Sequence, residues 1–320
     1  MKRALITGIT GQDGFYLSKF LIEKNYRVFG LLHQPLESKL DEFRKLLPEV
    51  TLIHGDLRNL PSLIKALNIS SPDELYNLGA VSFIGQSFNS PELTSDVNAL
   101  GPLRLLEAIR SINAEHSIKV YQASSSEMFG KAEHSPQNES SPFNPQSPYG
   151  VAKVFAHQIC INYRDYYGMK TYCGILFSHE SEHRGEQFVT RKITKGVAEI
   201  KKGRQKKIIL GTLESRRDWG YAGDYVEAMW LMLQHELPGE YVIATGQSHS
   251  VREFLELALK VAELKGSPEE YVILDESFKR RIDVDPLVGD ASKAKSILGW
   301  EPKVSFYELV TKMVRHDLNS

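Results

Sequence analysis

Cysteine is scarce in this chain: there are two among 320 residues, Cys160 and Cys173, and both lie in apolar stretches. Two buried thiols are therefore expected, and not the disulfide framework of a small secreted protein. No group of cysteines and histidines has the spacing of zinc ligands, so no metal site is expected. This cysteine usage predicts an enzyme of the reducing cytoplasm.

Long hydrophobic runs are also lacking. No stretch approaches the length that crosses a membrane, and "MKRALITG" has no apolar signal-peptide region. Charges nearly cancel, at a formal net charge of -1, which argues against general binding to nucleic acid or to an anionic membrane. The one basic run resembles a localisation signal but is more typical of a solvated helix end and loop; it comprises Lys201, Lys202, Arg204, Lys206 and Lys207.

The first half of the chain alternates short apolar runs with helical patterns, beginning with "RALIT", a glycine-rich turn and "FYLSKFLIEK". This alternation predicts an α/β fold with a doubly wound parallel sheet, because crossover connections are right-handed. We expect residues 1–178 to form this unit. Residues 179–320 are expected to form a smaller mixed region, some of whose elements return to the first unit.

The glycine-rich turn reads "TGITGQDG", with Gly8, Gly11 and Gly14 in GxxGxxG spacing between an apolar run and a helical pattern. Glycines permit a tight turn and the close approach of a pyrophosphate, and a helix N-terminus offers free N–H groups. The pattern predicts a dinucleotide site in residues 1–178. Asp56 and Leu57, after "VTLIHG", suit the adenine edge, although a helix-capping aspartate fits this pattern equally well.

The residues that usually distinguish the two nicotinamide cofactors are missing after the second strand. "YRVFGLL" is followed by His33, Gln34 and Pro35. There is no acidic residue for a ribose 2′-hydroxyl and no arginine for a 2′-phosphate. The sequence therefore does not choose between NAD and NADP.

Tyr149 and Lys153 are four residues apart in the helical pattern "SPYGVAKVFAHQICINYRDYYG", so they share one face. A lysine ammonium near a tyrosine is expected to lower the phenol pKa from about 10, which would make Tyr149 a base for a sugar hydroxyl. A surface pair is the alternative on spacing alone. The upstream glycine-rich turn favours the functional interpretation.

Together, the glycine-rich turn, a serine-rich strand end "SSSE" and YxxxK resemble the extended short-chain dehydrogenase/reductase family over nearly the whole chain. Longer motifs, "YQASSSEMFG", "FSHESEHRGEQFVTRKI" and "GDASKAKSILGWEP", are similar to the GDP-mannose 4,6-dehydratase family. This resemblance implies a lyase that makes GDP-4-keto-6-deoxy-mannose by internal hydride transfer from C4 to C6. It also implies NADP as the cofactor, with NAD as the alternative, and a homodimer or homotetramer.

The resemblance assigns catalytic roles to four residues. Ser125, at a position where the family usually has threonine, would bind the sugar 4-hydroxyl, and Tyr149 would be the base at O4. Lys153 would hold the nicotinamide ribose. Glu127 would be the acid/base at C5 and C6, and its position two residues after Ser125 predicts that both side chains lie on one side of the strand.

The resemblance also implies two binding sets. The cofactor set comprises Gly8, Thr10, Gly11, Gln12, Asp13, Gly14, Asp56, Leu57, Leu78, Gly79, Ala80, Ser82, Tyr149, Lys153, His179 and Arg184. The substrate set comprises Ser82, Ser126, Glu180, Lys192, Gly211, Arg217, Arg280 and Asp283. Among the latter, Lys192, Arg217, Arg280 and Asp283 also fit ordinary surface ion pairs.

The same residues bear on three other functions. Ser125 lacks the methyl group of threonine, which would suit a bulkier substrate such as a GDP-heptose. A 4-keto reductase or C4 epimerase on the same fold would need no Glu127, because only elimination across C5–C6 requires a further acid/base. A non-catalytic dinucleotide sensor conflicts with the intact Ser–Tyr–Lys set. For assembly, the stripe of Val151, Phe155, Ile159 and Asn162–Tyr163 fits a four-helix dimer interface or a plain core.

Overall fold

The computed structural model describes residues 1–33, 37–276 and 287–320. Its strands are β1 (Arg3–Thr7), β2 (Arg27–Leu32), β3 (Thr51–His54), β4 (Glu74–Asn77), β5 (Lys119–Ser125), β6 (Lys170–Leu176), β7 (Ser178–Glu180), β8 (Ile208–Leu210), β9 (Arg216–Tyr221), β10 (Glu240–Ile243), β11 (Ser248–Ser250) and β12 (Val272–Leu274).

Helices connect these strands. They are α1 (Gln12–Glu23), α2 (Glu37–Leu46), α3 (Leu60–Ser70), α4 (Ile84–Asn89), α5 (Pro91–Ser95), α6 (Gly101–Ser111), α7 (Pro148–Tyr167), α8 (Val189–Lys201), α9 (Ala222–Gln234), α10 (Val251–Val261), α11 (Pro268–Tyr271) and α12 (Phe306–Asn319). A 3₁₀ turn covers Ser126–Met128, and π-helical turns cover Asp96–Leu100 and Ala294–Leu298.

Seven parallel strands form the central sheet in the order β10-β6-β5-β4-β1-β2-β3. One face is covered by a core that includes α1, α2 and α9, and the other by a core that includes α3, α6 and α7. The predicted doubly wound parallel fold is therefore confirmed. The strand order reverses between β1 and β4, and ligands of such sheets bind beside the carboxyl ends of the strands at this point.

The second half of the chain is mixed. β7, β9 and β11 form a three-stranded sheet, and β8 pairs with β12. Around them, α8, α10 and α12 enclose a third core that contains Trp219 and Phe254. β10 leaves this region and joins the central sheet beside β6, while α9 packs against α1.

Two smaller predictions also hold. Both cysteines are buried free thiols, at 1% exposure or less. The basic run begins where α8 ends at Lys201, and most of the residues after it are exposed. Within the three described ranges, no helix is both long and apolar enough to cross a membrane.

Candidate active site

The tyrosine and lysine lie in the first two turns of α7. The helix begins after Ser147, whose hydroxyl accepts a hydrogen bond from Gly150 N at 3.0 Å, and Pro148 occupies its first turn. The Lys153 ammonium is 5.6 Å from the centroid of the Tyr149 ring. The prediction that both side chains share one face of a helix is confirmed.

Ser125 is the last residue of β5, and its side chain faces the start of α7. Its hydroxyl accepts a hydrogen bond from Glu127 N at 3.2 Å, and it lies close enough to the Tyr149 phenol to oppose the rise that burial causes in the pKa of that group. The strand periodicity that was expected to align Ser125 with Glu127 does not apply, because the chain leaves the sheet after Ser125 and Glu127 lies in a 3₁₀ turn. The turn still keeps the Glu127 carboxylate close enough to influence Tyr149 electrostatically.

The electrostatics of Tyr149 differ from expectation. Burial raises the pKa of Tyr149 to about 12; the hydrogen bond with Ser125 opposes this rise, and the Glu127 charge adds to it. Burial also lowers the pKa of Lys153 to about 8. The Lys153 ammonium donates to the Ala123 carbonyl at 2.8 Å. The pKa of Tyr149 therefore lies above its ordinary value and not below it as predicted, because burial disfavours the phenolate more than Ser125 and Arg184 favour it.

The glycine-rich turn follows β1 and leads into α1. Gly8 has a φ of +68°, and a Cβ there would lie 2.8 Å from Gly79 N. A Cβ at Gly14 would lie 2.5 Å from the Gly8 carbonyl oxygen. Gly11 caps α1 without any side-chain bond to its first N–H groups. Only glycine fits at positions 8 and 14, and the open helix end suits the pyrophosphate of a dinucleotide.

Asp13 forms a partly buried ion pair with His179. His179 Nε2 lies 3.0 Å from the Asp13 carboxylate, and Nδ1 lies 2.8 Å from the Phe177 carbonyl oxygen. Both partners only accept hydrogen bonds, so both ring nitrogens must carry protons. Burial opposes both charges, but the pair raises the pKa of His179 and, with the Gln12 amide, lowers the pKa of Asp13 to about 2.

The Glu180 carboxylate holds the Arg184 side chain in place through an ion pair. Glu180 is 3% exposed, accepts a hydrogen bond from Thr190 at 2.7 Å and pairs with the Arg184 guanidinium at 3.1 Å. The same guanidinium lies 3.6 Å from the centroid of the Phe188 ring. These contacts account for the burial of Glu180, and its contact with substrate remains a prediction.

A cleft opens at the carboxyl ends of β2 and β3, lined by His33, Asp56 and Arg58. Asp56 pairs with Arg58 at 2.8 Å and lies 3.5 Å from His33. The hydrogen bonds from Arg58 lower the pKa of Asp56. The alternative of a helix-capping Asp56 is wrong, because Asn59 caps α3 by accepting from Ser62 N at 2.9 Å. Gln34 and Pro35 lie outside the described residues.

The other predicted residues lie on connections that reach the same edge of the sheet or on the second half of the chain. Those at the sheet edge are Thr10, Leu57, Leu78, Gly79, Ala80, Ser82 and Ser126. Lys192 lies in the first turn of α8, Gly211 follows β8, and Arg217 lies on β9, which pairs with the strand that carries His179. Arg280 and Asp283 lie outside the described residues.

The sequence interpretation missed several buried polar residues beside the site. Asn98 clamps the chain after β4: its amide accepts from Val81 N at 2.8 Å and donates to Val81 O at 3.0 Å. Thr7, Asn77 and Gln122 form a hydrogen-bonded row across three strands. Their signal in the sequence is a lone polar residue within an apolar strand, as in "YNLGA" and "VYQAS".

Comparisons with known proteins agree with this geometry. The family model described as GDP-mannose 4,6 dehydratase matches residues 5–313. GDP-mannose 4,6 dehydratase 1 of Arabidopsis thaliana is 49% identical over 327 residues, which cover 99% of this chain and 90% of that protein. Among solved structures, the UDP-glucose 4-epimerase of Thermus thermophilus, a complex with NAD, has a TM-score of 0.85 at 26% identity, covering 98% of each chain. RMD from Pseudomonas aeruginosa, complexed with NADPH, shares the fold with a TM-score of 0.83 at 22% identity, covering 100% of this chain and 99% of that one.

Proposed function

The chain belongs to the GDP-mannose 4,6-dehydratase family, and on this premise we propose that it converts GDP-mannose to GDP-4-keto-6-deoxy-mannose. The observation that carries the proposal is the placement of an acid/base, Glu127, whose N–H donates to the Ser125 hydroxyl and whose charge acts on Tyr149. Oxidation at C4 requires a hydroxyl and a base. Elimination of water across C5–C6 requires a further acid/base, which Glu127 supplies.

The cofactor in this proposal is a nicotinamide dinucleotide, NADP or NAD. The turn at Gly8, Gly11 and Gly14 would take its pyrophosphate, and the cleft at His33, Asp56 and Arg58 would take its adenosine. Lys153 would hold the nicotinamide ribose. When bound, the nicotinamide supplies oxidation at C4 and returns the electrons at C6, so that no net redox change remains.

The proton transfers belong to the protein. Ser125 orients the sugar 4-hydroxyl, and Tyr149 removes its proton as C4 is oxidised. Burial disfavours the phenolate, whereas the hydrogen bond from Ser125 and the positive charge of Arg184 stabilise it. A ketone at C4 acidifies the proton at C5. Glu127 removes that proton and transfers a proton to the departing C6 hydroxyl, which leaves as water, and C5 takes up a proton again when C6 is reduced.

The second half of the chain is proposed to bind the nucleotide and the sugar. In this division, residues 1–178 form the dinucleotide-binding unit with the catalytic helix, and residues 179–320 mainly recognise the GDP-sugar. Among the described residues, Lys192 and Arg217 are the proposed cationic contacts of the GDP-sugar. Arg280 and Asp283 are the other proposed contacts of this substrate. The pairing of β7 with β9 supports this arrangement, because it connects His179 and Glu180 to the strand of Arg217.

The proposed assembly is a cytoplasmic homodimer, with a homotetramer as the larger alternative. On α7, Val151 is 57% exposed and Phe155 is 40% exposed, while Tyr163 on the same helix is packed into the core. Phe88 on α4, which contacts α7, is 54% exposed. An apolar surface of this kind is typical of a subunit interface. Light scattering of the purified protein tests this assignment.

Incubation with GDP-mannose tests the activity. The product should have lost one water from the sugar and carry a ketone, with the cofactor unchanged. A GDP-heptose serves as the second substrate, because Ser125 lacks the methyl group of threonine. Consumption of added NADPH, or a product that keeps its 6-hydroxyl, would identify a reductase or epimerase. Bound dinucleotide without turnover of any GDP-sugar would indicate a sensor.

A further inference from the structure

Three buried polar side chains lie side by side on β1, β4 and β5: Thr7 and Asn77 are the last residues of their strands, and Gln122 lies in the middle of β5. The strand register pairs Thr7 with Asn77 and Asn77 with Gln122, and each residue is at most 2% exposed. We call Thr7, Asn77 and Gln122 the polar row. Burying a hydroxyl and two amides inside an apolar sheet costs free energy unless every group is bonded, and the reactions proposed above give none of the three a role.

The row begins at the chain segment after β4. The N–H groups of Leu78 and Gly79 donate to Thr7 Oγ1 at 3.1 and 2.9 Å. The Thr7 hydroxyl then donates to Asn77 Oδ1 at 2.7 Å. Because Gly79 packs against Gly8, this end of the row is tied to the glycine-rich turn.

The row ends at the carbonyl group that holds the lysine. Asn77 Nδ2 donates to Gln122 Oε1 at 2.8 Å, and Gln122 Nε2 donates to Ala123 O at 3.0 Å. The same Ala123 oxygen accepts the hydrogen bond from Lys153 Nζ at 2.8 Å, and Lys153 is 5% exposed. The row therefore crosses three strands of the central sheet and connects the glycine-rich turn to Lys153.

The direction of every bond in the row is forced. The Ala123 carbonyl only accepts, so Gln122 must present its nitrogen to Ala123 and its oxygen to Asn77. Asn77 must then present its nitrogen to Gln122 and its oxygen to Thr7, whose own oxygen already accepts two N–H groups. A side chain in the middle of the row that presents an acceptor where a donor is needed, or the reverse, therefore disturbs the hydrogen bond to the Ala123 carbonyl.

We propose that Asn77 and Gln122 are positioning residues that set the place of the Lys153 ammonium relative to the glycine-rich turn. They act through the Ala123 carbonyl and touch neither substrate nor cofactor. This inference rests on the proposed function, in which Lys153 holds the nicotinamide ribose. It also explains why an amide row is kept inside the sheet.

A double-mutant cycle tests the coupling. Gln122→Met keeps the volume but removes the donor. Asn77→Asp keeps the shape but places an acceptor against Gln122 Oε1, which forces that amide to turn its oxygen towards Ala123. Calorimetry should show NADPH binding weakened roughly tenfold by either change when Lys153 is present, and by less than about twofold in the Lys153→Met background. Equal losses in both backgrounds would overturn the inference, since a structural defect does not depend on the lysine.

A conservative pair at Thr7 supports the cycle. Thr7→Ser keeps the hydroxyl and should bind NADPH nearly as well as the wild type, whereas Thr7→Val keeps the volume and should lose affinity. The matched control is Thr171→Val on β6, which removes a fully buried hydroxyl that donates to Cys160 O at 2.7 Å, outside the row. Equal losses for Thr7→Val and Thr171→Val would refute the role of the row. If the Asn77 and Gln122 variants do not fold, the comparison of Thr7→Val with Thr171→Val tests the role of the row.

The binding assay separates this inference from the proposed activity. If the wild type binds NADPH but does not dehydrate GDP-mannose, the proposed function fails and the cycle still tests the row. If the wild type dehydrates GDP-mannose and the cycle is additive, the inference alone fails. With both correct, the row variants should lower kcat roughly tenfold, while KM for GDP-mannose changes by less than about twofold.

Discussion

Replacing Asp13 with asparagine tests the partly buried ion pair beside the glycine-rich turn. Burial raises the pKa of Asp13, but His179, the Gln12 amide and the Arg184 charge together lower it from its ordinary value of 3.8 to about 2, and this difference corresponds to about 2 kcal/mol of stability. The Asp13 side chain is 22% exposed and that of His179 is 10% exposed, so solvent screens the pair only partly. We expect Asp13→Asn to cost about 2 kcal/mol of unfolding free energy near pH 5.5.

The pH dependence has a definite sign. The folded pKa of Asp13 is lowered, so its contribution is present above about pH 4 and is lost as the pH falls towards 2. The folded pKa of His179 is raised, so its contribution is complete below about pH 6.5 and is lost as the pH rises through the folded pKa. The charged side chains of Asp13 and His179 together contribute most to the free energy of unfolding between about pH 4 and pH 6.5.

Urea unfolding followed by circular dichroism measures this difference. The gap between wild type and Asp13→Asn should be largest near pH 5.5 and clearly smaller near pH 9. Asp165→Asn is the control, because Asp165 is 68% exposed and its ion pair is with the adjacent Arg164. A gap of the same size at both pH values, or below about 0.5 kcal/mol, would refute the ion-pair reasoning.

Three further changes test other parts of the site. Gly14→Ala places a Cβ 2.5 Å from the Gly8 carbonyl oxygen and should cost about 1–3 kcal/mol in thermal unfolding; an unchanged Tm would contradict the tight turn. Arg58→Ala should weaken NADP binding roughly tenfold by calorimetry, with little change for NAD, if Arg58 contacts the 2′-phosphate; equal effects would exclude that contact. Tyr149→Phe should abolish turnover of GDP-mannose while NADPH binding persists, and residual turnover above about one hundredth would exclude Tyr149 as the base.

The architecture was accessible from the sequence because local patterns encode it. Alternating apolar and helical periods predicted the parallel sheet, and glycine spacing predicted the turn before α1. The face shared by Tyr149 and Lys153 was equally predictable, since helical spacing alone decides it.

The features of the site that could not be predicted from the sequence depend on contacts between elements that are distant in the chain. The direction of the Tyr149 pKa follows from burial and from the charge of Glu127, which opposes the phenolate. The turn at Glu127 arises because the chain leaves the sheet after Ser125. The polar row exists only through strand register, which single-sequence patterns do not fix.

The fate of the C4 hydrogen tests the proposed function most directly. GDP-mannose carrying deuterium at C4 is incubated with the enzyme, and the product is examined by NMR and mass spectrometry. The account predicts that the wild type makes a 4-keto-6-deoxy product with the deuterium at C6, and that Glu127→Gln forms none of it while still binding NADPH. Deuterium lost to solvent, a product that keeps its 6-hydroxyl, or full turnover by Glu127→Gln would contradict it.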